Sequence, residues 1–199
     1  KMRIFSHRGL GFGKPENTLD SYKSALERGF SLEIDVQRTK DGRLVISHDT
    51  NLKRQKGIDK NLTDMNFNEL MGVDIPSFED VLKLFKTTGK EGELLAIHVK
   101  DEYQWNILEL VVNAISEFQL EESCFIFDLT TGGANHVKQI NARIKVALSI
   151  GEKRYTGTIY RWDDVKDNKD VDAIWWDEWH SDLYNKKNAE LIKESGRLN

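Results

Sequence analysis

The chain has one cysteine, no excess of basic residues, and no apolar run that could cross a bilayer. Cys124 stands alone among 199 residues, so an intrachain disulfide is impossible. It adjoins the apolar run FIF, which predicts a buried, unreactive thiol and suits a reducing compartment. Lys and Arg number 29 against 33 Asp and Glu, for a net charge of −4 and a pI near 5.8. Neither nucleic acid nor an anionic membrane is therefore an expected partner. Hydrophobic stretches fall well short of the roughly 20 residues of a membrane span. The opening KMRIF leads straight into a predicted strand with no signal-peptide pattern, so a cytoplasmic location is expected, although Lys1 ahead of Met2 hints at a start that is not native. No internal repeat or low-complexity tract is present.

What remains is an ordinary globular composition, 39% hydrophobic and 31% charged, enough for one domain over residues 1–199. Strand-like and helix-like segments alternate along almost its whole length, the pattern of an α/β fold with parallel strands. Seven strands are predicted near residues 4, 33, 46, 96, 126, 146 and 174. Helices are expected after Asn17 or Thr18 as cap, after Ser77 as cap, and over 103–118, 132–140 and the segment NKKNAELIKES. Residues 50–76 are polar and irregular, an expected insertion or lid. A TIM-type (β/α)8 barrel needs an eighth strand, and the chain stops at ESGRLN where that strand would begin.

The segment SLEIDVQ carries the first chemical signal. As a strand it turns Leu32, Ile34 and Val36 one way and Glu33 and Asp35 the other. Two carboxylates about 6.5 to 7 Å apart on one face repel by roughly 2 to 3 kcal/mol at an effective dielectric near 20. In a barrel lumen such a pair persists if a divalent cation neutralises it; on an antiparallel edge it simply faces solvent. The two readings are about even on this segment alone. Polar residues collect at the ends of other predicted strands: His7 and Arg8, His48 and Asp49, His98 and Lys100. Two histidines flanking a carboxylate pair suit general acid and base, and Arg8 suits a bidentate grip on phosphate. Their structural alternatives are satisfied core or surface histidines and a surface ion pair. A dinucleotide reading of RGLGFG is weakened by its G-x-G-x-G spacing and by KPEN before the helix.

HRG, then PENT, then EIDVQRTKDGRLVISHD resembles the signature of the glycerophosphodiester phosphodiesterase family. The match is dense over the first 50 residues and looser beyond, through IPSFEDVL and IHVK. The resemblance implies a TIM barrel with an insertion after the third strand. It implies a divalent metal, usually magnesium or calcium, on Glu33 and Asp35. His7 and His48 would be the acid/base pair, and Arg8 with Lys100 would bind phosphate oxygens. Glu16 would join the metal, hold Arg8, or fix the turn before the helix. The expected reaction is metal-dependent hydrolysis of a glycerophosphodiester, a small-molecule substrate, to glycerol 3-phosphate and an alcohol. Alternatives are a noncatalytic phosphodiester-binding module and a phospholipase D-like lyase releasing a cyclic phosphate.

The sequence departs from the family in two places. Where the family has a metal-binding glutamate two residues before its lysine, this chain has His98, read here as a metal ligand that makes manganese or zinc possible. The family's last strand is absent. Asp101, Glu102, Asp128 and Glu178 are acids that could complete the site. Trp175, Trp176 and Trp179 could wall a quaternary ammonium group or pack the core.

Overall fold

The computed structural model describes residues 4–9, 13–100, 105–150, 160–176 and 186–196. Strands β1 (Phe5–His7), β2 (Ser31–Arg38), β3 (Leu44–Ile46), β4 (Leu95–Val99), β5 (Cys124–Phe127), β6 (Lys145–Ile150) and β7 (Ala173–Trp176) form one sheet. Helices α1 (Leu19–Glu27), α2 (Lys53–Lys56), α3 (Phe78–Thr88), α4 (Trp105–Glu117), α5 (Thr131–Ile140), α6 (Trp162–Val165) and α7 (Lys186–Glu194) lie between and after them.

Six strands run parallel in the order β1-β2-β4-β5-β6-β7. The third strand departs from the sequence reading, because β3 pairs antiparallel with the end of β2, Val36 opposite Ile46, and lies off the parallel path. Only residues 39–43 connect the two, whereas a parallel crossover needs a dozen or more residues. The turn at KDGR therefore makes a hairpin, and α3 is the helix that returns the chain to β4.

Alternation along each parallel strand builds two cores. Leu32, Ile34 and Val36 of β2 are fully buried with Leu95 and Ile97 of β4, against Tyr22, Ala25 and Leu26 of α1 and Phe78, Val81 and Leu82 of α3. Each such side chain contributes about 1.5–3 kcal/mol, enough to hold β2 in place despite its charged inner face. On the concave side, Phe5, Ala96, Phe125, Phe127, Ala147 and Trp175 fill the lumen. Phe5 of β1 meets Trp175 of β7 edge-on at 5.6 Å between ring centroids, and Trp175 stacks on Phe127 at 4.8 Å. Contact between the first and last strands of the order shows how far the sheet curls, as a TIM-type fold requires. It also makes Trp175 a lumen-packing residue.

Two helix starts follow the sequence reading. Thr18 caps α1 and Ser77 caps α3, each in a reciprocal box with the residue three positions on. Residues 50–76 carry their own small core of Leu52, Leu62, Met65, Leu70 and Ile75 against Val45 of β3. Cys124 is buried, and burial pushes its thiol well above the usual range. Among the described residues, no helix is long and apolar enough to cross a membrane.

Candidate active site

The C-terminal ends of β1, β2 and β4 converge on one cluster. Beyond His7 the chain reverses through Arg8 and Gly9 at φ of 54° and 73°. A side chain at Gly9 would place its Cβ 2.3 Å from Ser21 Oγ, so only glycine lets this loop lie against α1. The reversal aims the Arg8 backbone N–H at Glu33 Oε2 (3.1 Å) and its side chain inward, Nε 3.2 Å from Asp35 Oδ2. Arg8, Asn17 and Asp128 all hold left-handed backbone at φ of 54–57°, a strained conformation of the kind that gathers at functional sites.

Glu33 and Asp35 face the lumen, 4% and 1% exposed, which excludes the reading of SLEIDVQ as a solvent-facing edge. Burial and the neighbouring Asp35 push the Glu33 carboxyl up to about 7. Asp35 goes the other way: burial opposes its charge, but His98 and Lys100 hold it far below the usual carboxylate range. Lys100 Nζ is 3.0 Å from Asp35 Oδ1 and 3.1 Å from His98 Nδ1. The parallel register puts His98 beside Asp35, with Nδ1 3.5 Å from Oδ1. Its other nitrogen, Nε2, is 3.2 Å from Asp128 Oδ2. Burial works against an imidazolium here, yet Asp128 and Asp35 raise the His98 pKa to about 9.

One ligand atom each from Glu33, Asp35 and His98 lies within 4.8 Å of the others, close enough to share a metal ion. The donor chemistry fits. Two carboxylates on one face offer the oxygen ligands a hard cation takes, and a carboxylate on the far nitrogen of a histidine is the usual support for a metal-binding imidazole.

The two candidate acid/base histidines are near enough for the charge of one to act on the other. His7 Nε2 is 3.7 Å from Glu33 Oε2, and its side chain is 62% exposed. The protein packed about the ring and the Arg8 guanidinium hold its pKa below the ordinary value, and the charge of His48 adds to the effect. His48 follows β3, with Nδ1 2.6 Å from Asp49 Oδ1. Gln37, pointing inward from β2, fixes its backbone by donating to the His48 carbonyl at 3.0 Å. All seven residues singled out as catalytic, substrate-binding or metal-binding thus fall in one region. Glu16 accepts from Arg8 NH1 at 3.5 Å, matching the reading in which it holds Arg8.

Two contributors escaped the sequence reading. Asn17, considered there as a helix cap, instead donates to Asp35 Oδ2 at 3.3 Å while its own oxygen accepts from the buried Tyr22 hydroxyl. Arg54, unremarked in the polar stretch 50–76, binds both Asp49 and Glu16. Asp101, Glu102, Glu178 and Trp179 lie outside the described residues, as does the side chain of Trp176.

A family model for the glycerophosphoryl diester phosphodiesterase family matches residues 7–179. The chain belongs to that family. Among curated relatives, a glycerophosphodiester phosphodiesterase of Bacillus altitudinis is 31% identical over 162 residues, covering 73% of this chain and 65% of that protein. The chain thus spans just under two thirds of the relative's length. A Galdieria sulphuraria crystal structure superposes with a TM-score of 0.82 at 21% identity, covering 99% of this chain and 82% of that one. An Oleispira antarctica phosphodiesterase, solved in complex with the product sn-glycerol-3-phosphate, superposes at 0.79 with 19% identity, covering 98% and 82%. These likenesses establish the TIM-type fold. Membership of the glycerophosphoryl diester phosphodiesterase family also removes the dinucleotide reading of RGLGFG.

Proposed function

We propose that this chain carries the site of a metal-dependent phosphodiesterase that hydrolyses a small glycerophosphodiester to glycerol 3-phosphate and an alcohol. The observation that carries the reading is the Glu33, Asp35 and His98 cluster, flanked by Arg8 and Lys100 at the strand ends of a family member. Glu33, Asp35 and His98 would hold the divalent cation, which when bound supplies positive charge to the phosphodiester oxygens. The nitrogen ligand suits manganese or zinc better than an all-oxygen site would, beside magnesium or calcium.

Arg8 and Lys100 bind the anionic phosphate. The Arg8 Nε–H is buried and lacks an aligned hydrogen-bond acceptor although Asp35 lies beside it, a donor that a phosphate oxygen would satisfy. Water attacks the phosphorus, and His7, whose surroundings favour its neutral form, takes one of the water's protons. As the phosphorus–oxygen bond to the alcohol breaks, His48 gives a proton to the departing oxygen. Asp49 on Nδ1 turns His48 Nε2 toward that oxygen and offsets the ring's charge when it is protonated.

The test is choline release from glycerophosphocholine by the wild type and by Asp35→Asn, with and without chelator. The reading expects release that needs both Asp35 and a divalent ion. No release with magnesium, calcium, manganese or zinc would leave a noncatalytic binding module.

A further inference from the structure

Arg54 lies on the single turn of α2, in a stretch whose sequence gave it no role. Its Nε donates to Asp49 Oδ2 and its NH2 to Glu16 Oε1. Each of those carboxylates gives its other oxygen to the site. Asp49 Oδ1 meets His48 Nδ1 at 2.6 Å, and Glu16 Oε2 meets Arg8 NH1 at 3.5 Å. The neighbouring Gln55 closes the arrangement, donating to Glu16 Oε1 at 2.6 Å and accepting from Ser47 Oγ at 2.8 Å. One planar guanidinium therefore spans two carboxylates from separate loops, 33 residues apart in sequence, and behind each stands a residue of the proposed chemistry. A lysine could not make this fork. For both acids burial opposes the charge, and hydrogen bonds from Arg54, with Gln55 at Glu16 and His48 at Asp49, hold their pKa values below the ordinary.

The geometry points to Arg54 as a positioning residue, which acts through Asp49 to orient His48 and through Glu16 to orient Arg8. The inference rests on the phosphodiesterase reading for its kinetic consequences but not for its structural ones. Arg54 is itself 54% exposed, and surface ion pairs contribute little to stability. Its removal should leave the fold intact while loosening groups whose placement governs the rate. Loss of a residue that supports a reacting group through another costs about 10- to 100-fold.

The experiment compares wild type, Arg54→Ala, Arg54→Lys, Asp49→Asn and the Arg54→Ala/Asp49→Asn double variant in the full chain. Two readouts are used: the His48 ring signals in nitrogen NMR of metal-free, substrate-free protein, and kcat and KM on glycerophosphocholine. Arg54→Ala is expected to shift or broaden the His48 Nδ1–H signal, to lower kcat about 10-fold or more, and to raise KM as the Arg8 grip on phosphate loosens. Arg54→Lys should recover only part of kcat. In the Asp49→Asn background, the further loss from Arg54→Ala should shrink well below its loss in wild type, because the path to His48 is already cut.

An unchanged His48 signal in Arg54→Ala overturns the inference whether or not the protein proves to be a phosphodiesterase. A rise in KM at constant kcat overturns it in favour of direct substrate binding. A lowered melting temperature with unchanged kinetics overturns it in favour of a structural ion pair. Failure of the phosphodiesterase reading would instead appear as an inactive wild type whose His48 signal still responds to Arg54.

Discussion

His98 Nε2 sits 3.2 Å from Asp128 Oδ2, a contact between adjacent strands that leaves the other ring nitrogen facing Asp35. A histidine held this way has its orientation fixed before any cation arrives, and binding one displaces the ring proton on the side of Asp35. Asp128→Asn keeps a residue that tolerates the left-handed backbone at this position but removes the charge. Manganese affinity, measured calorimetrically, should fall about 10-fold with the melting temperature of the metal-free protein little changed. Unchanged affinity would place His98 outside the metal shell.

His98 itself sets the preferred metal. In His98→Glu a third carboxylate replaces a nitrogen ligand, which favours hard cations. The ratio of activity with magnesium or calcium to activity with manganese or zinc should rise. The same ratio in both proteins would show that the metal does not touch residue 98.

Much of this site was legible because strand alternation has a period of two. That period puts Glu33 with Asp35 and His98 with Lys100 on common faces, whatever the fold around them. The spaced motifs then placed His7, Arg8 and His48. The strand at LVISH falls in with the parallel series because its composition, a short apolar run, says nothing of direction; the five-residue connection before it does. Asn17 and Thr18 are both helix-cap residue types, and the structure gives that role to Thr18, which leaves Asn17 for the site. Arg54 was not legible at all, because its partner Glu16 lies 38 residues away and no periodicity links a polar loop to a distant turn.

Glu33 gives metal-free protein a particular pH dependence. Its folded-state pKa, about 7, is raised above the ordinary 4.5. The associated stability is fully present below about pH 4.5 and is lost as pH rises through 7, a loss on the order of 3 kcal/mol. Asp35 acts with the opposite sign but below its ordinary 3.8, outside that window. His98, raised from 6.5 to about 9, adds a further loss with rising pH, so the informative comparison is between variants. In chelator, denaturant unfolding at pH 5 and pH 7.5 should show wild type losing more stability than Glu33→Gln. Equal losses would mean that Glu33 ionises freely in the folded state.

Both flanking histidines should be needed for turnover. His7→Ala and His48→Ala are each expected to lower kcat about 10²- to 10⁴-fold, and wild type should give a bell-shaped pH–rate profile. Near wild-type turnover in both variants would remove the acid/base assignment.

On the proposed function, this cluster of two carboxylates and a histidine, with Arg8 and Lys100 beside it, breaks a phosphodiester by hydrolysis. Phosphorus NMR of glycerophosphocholine incubated with the protein and a divalent metal tests it most directly. The diester signal should convert to that of glycerol 3-phosphate, and chelator should abolish the conversion. A diester signal that persists with every metal tried, or conversion to a cyclic phosphate that is not hydrolysed further, would contradict it.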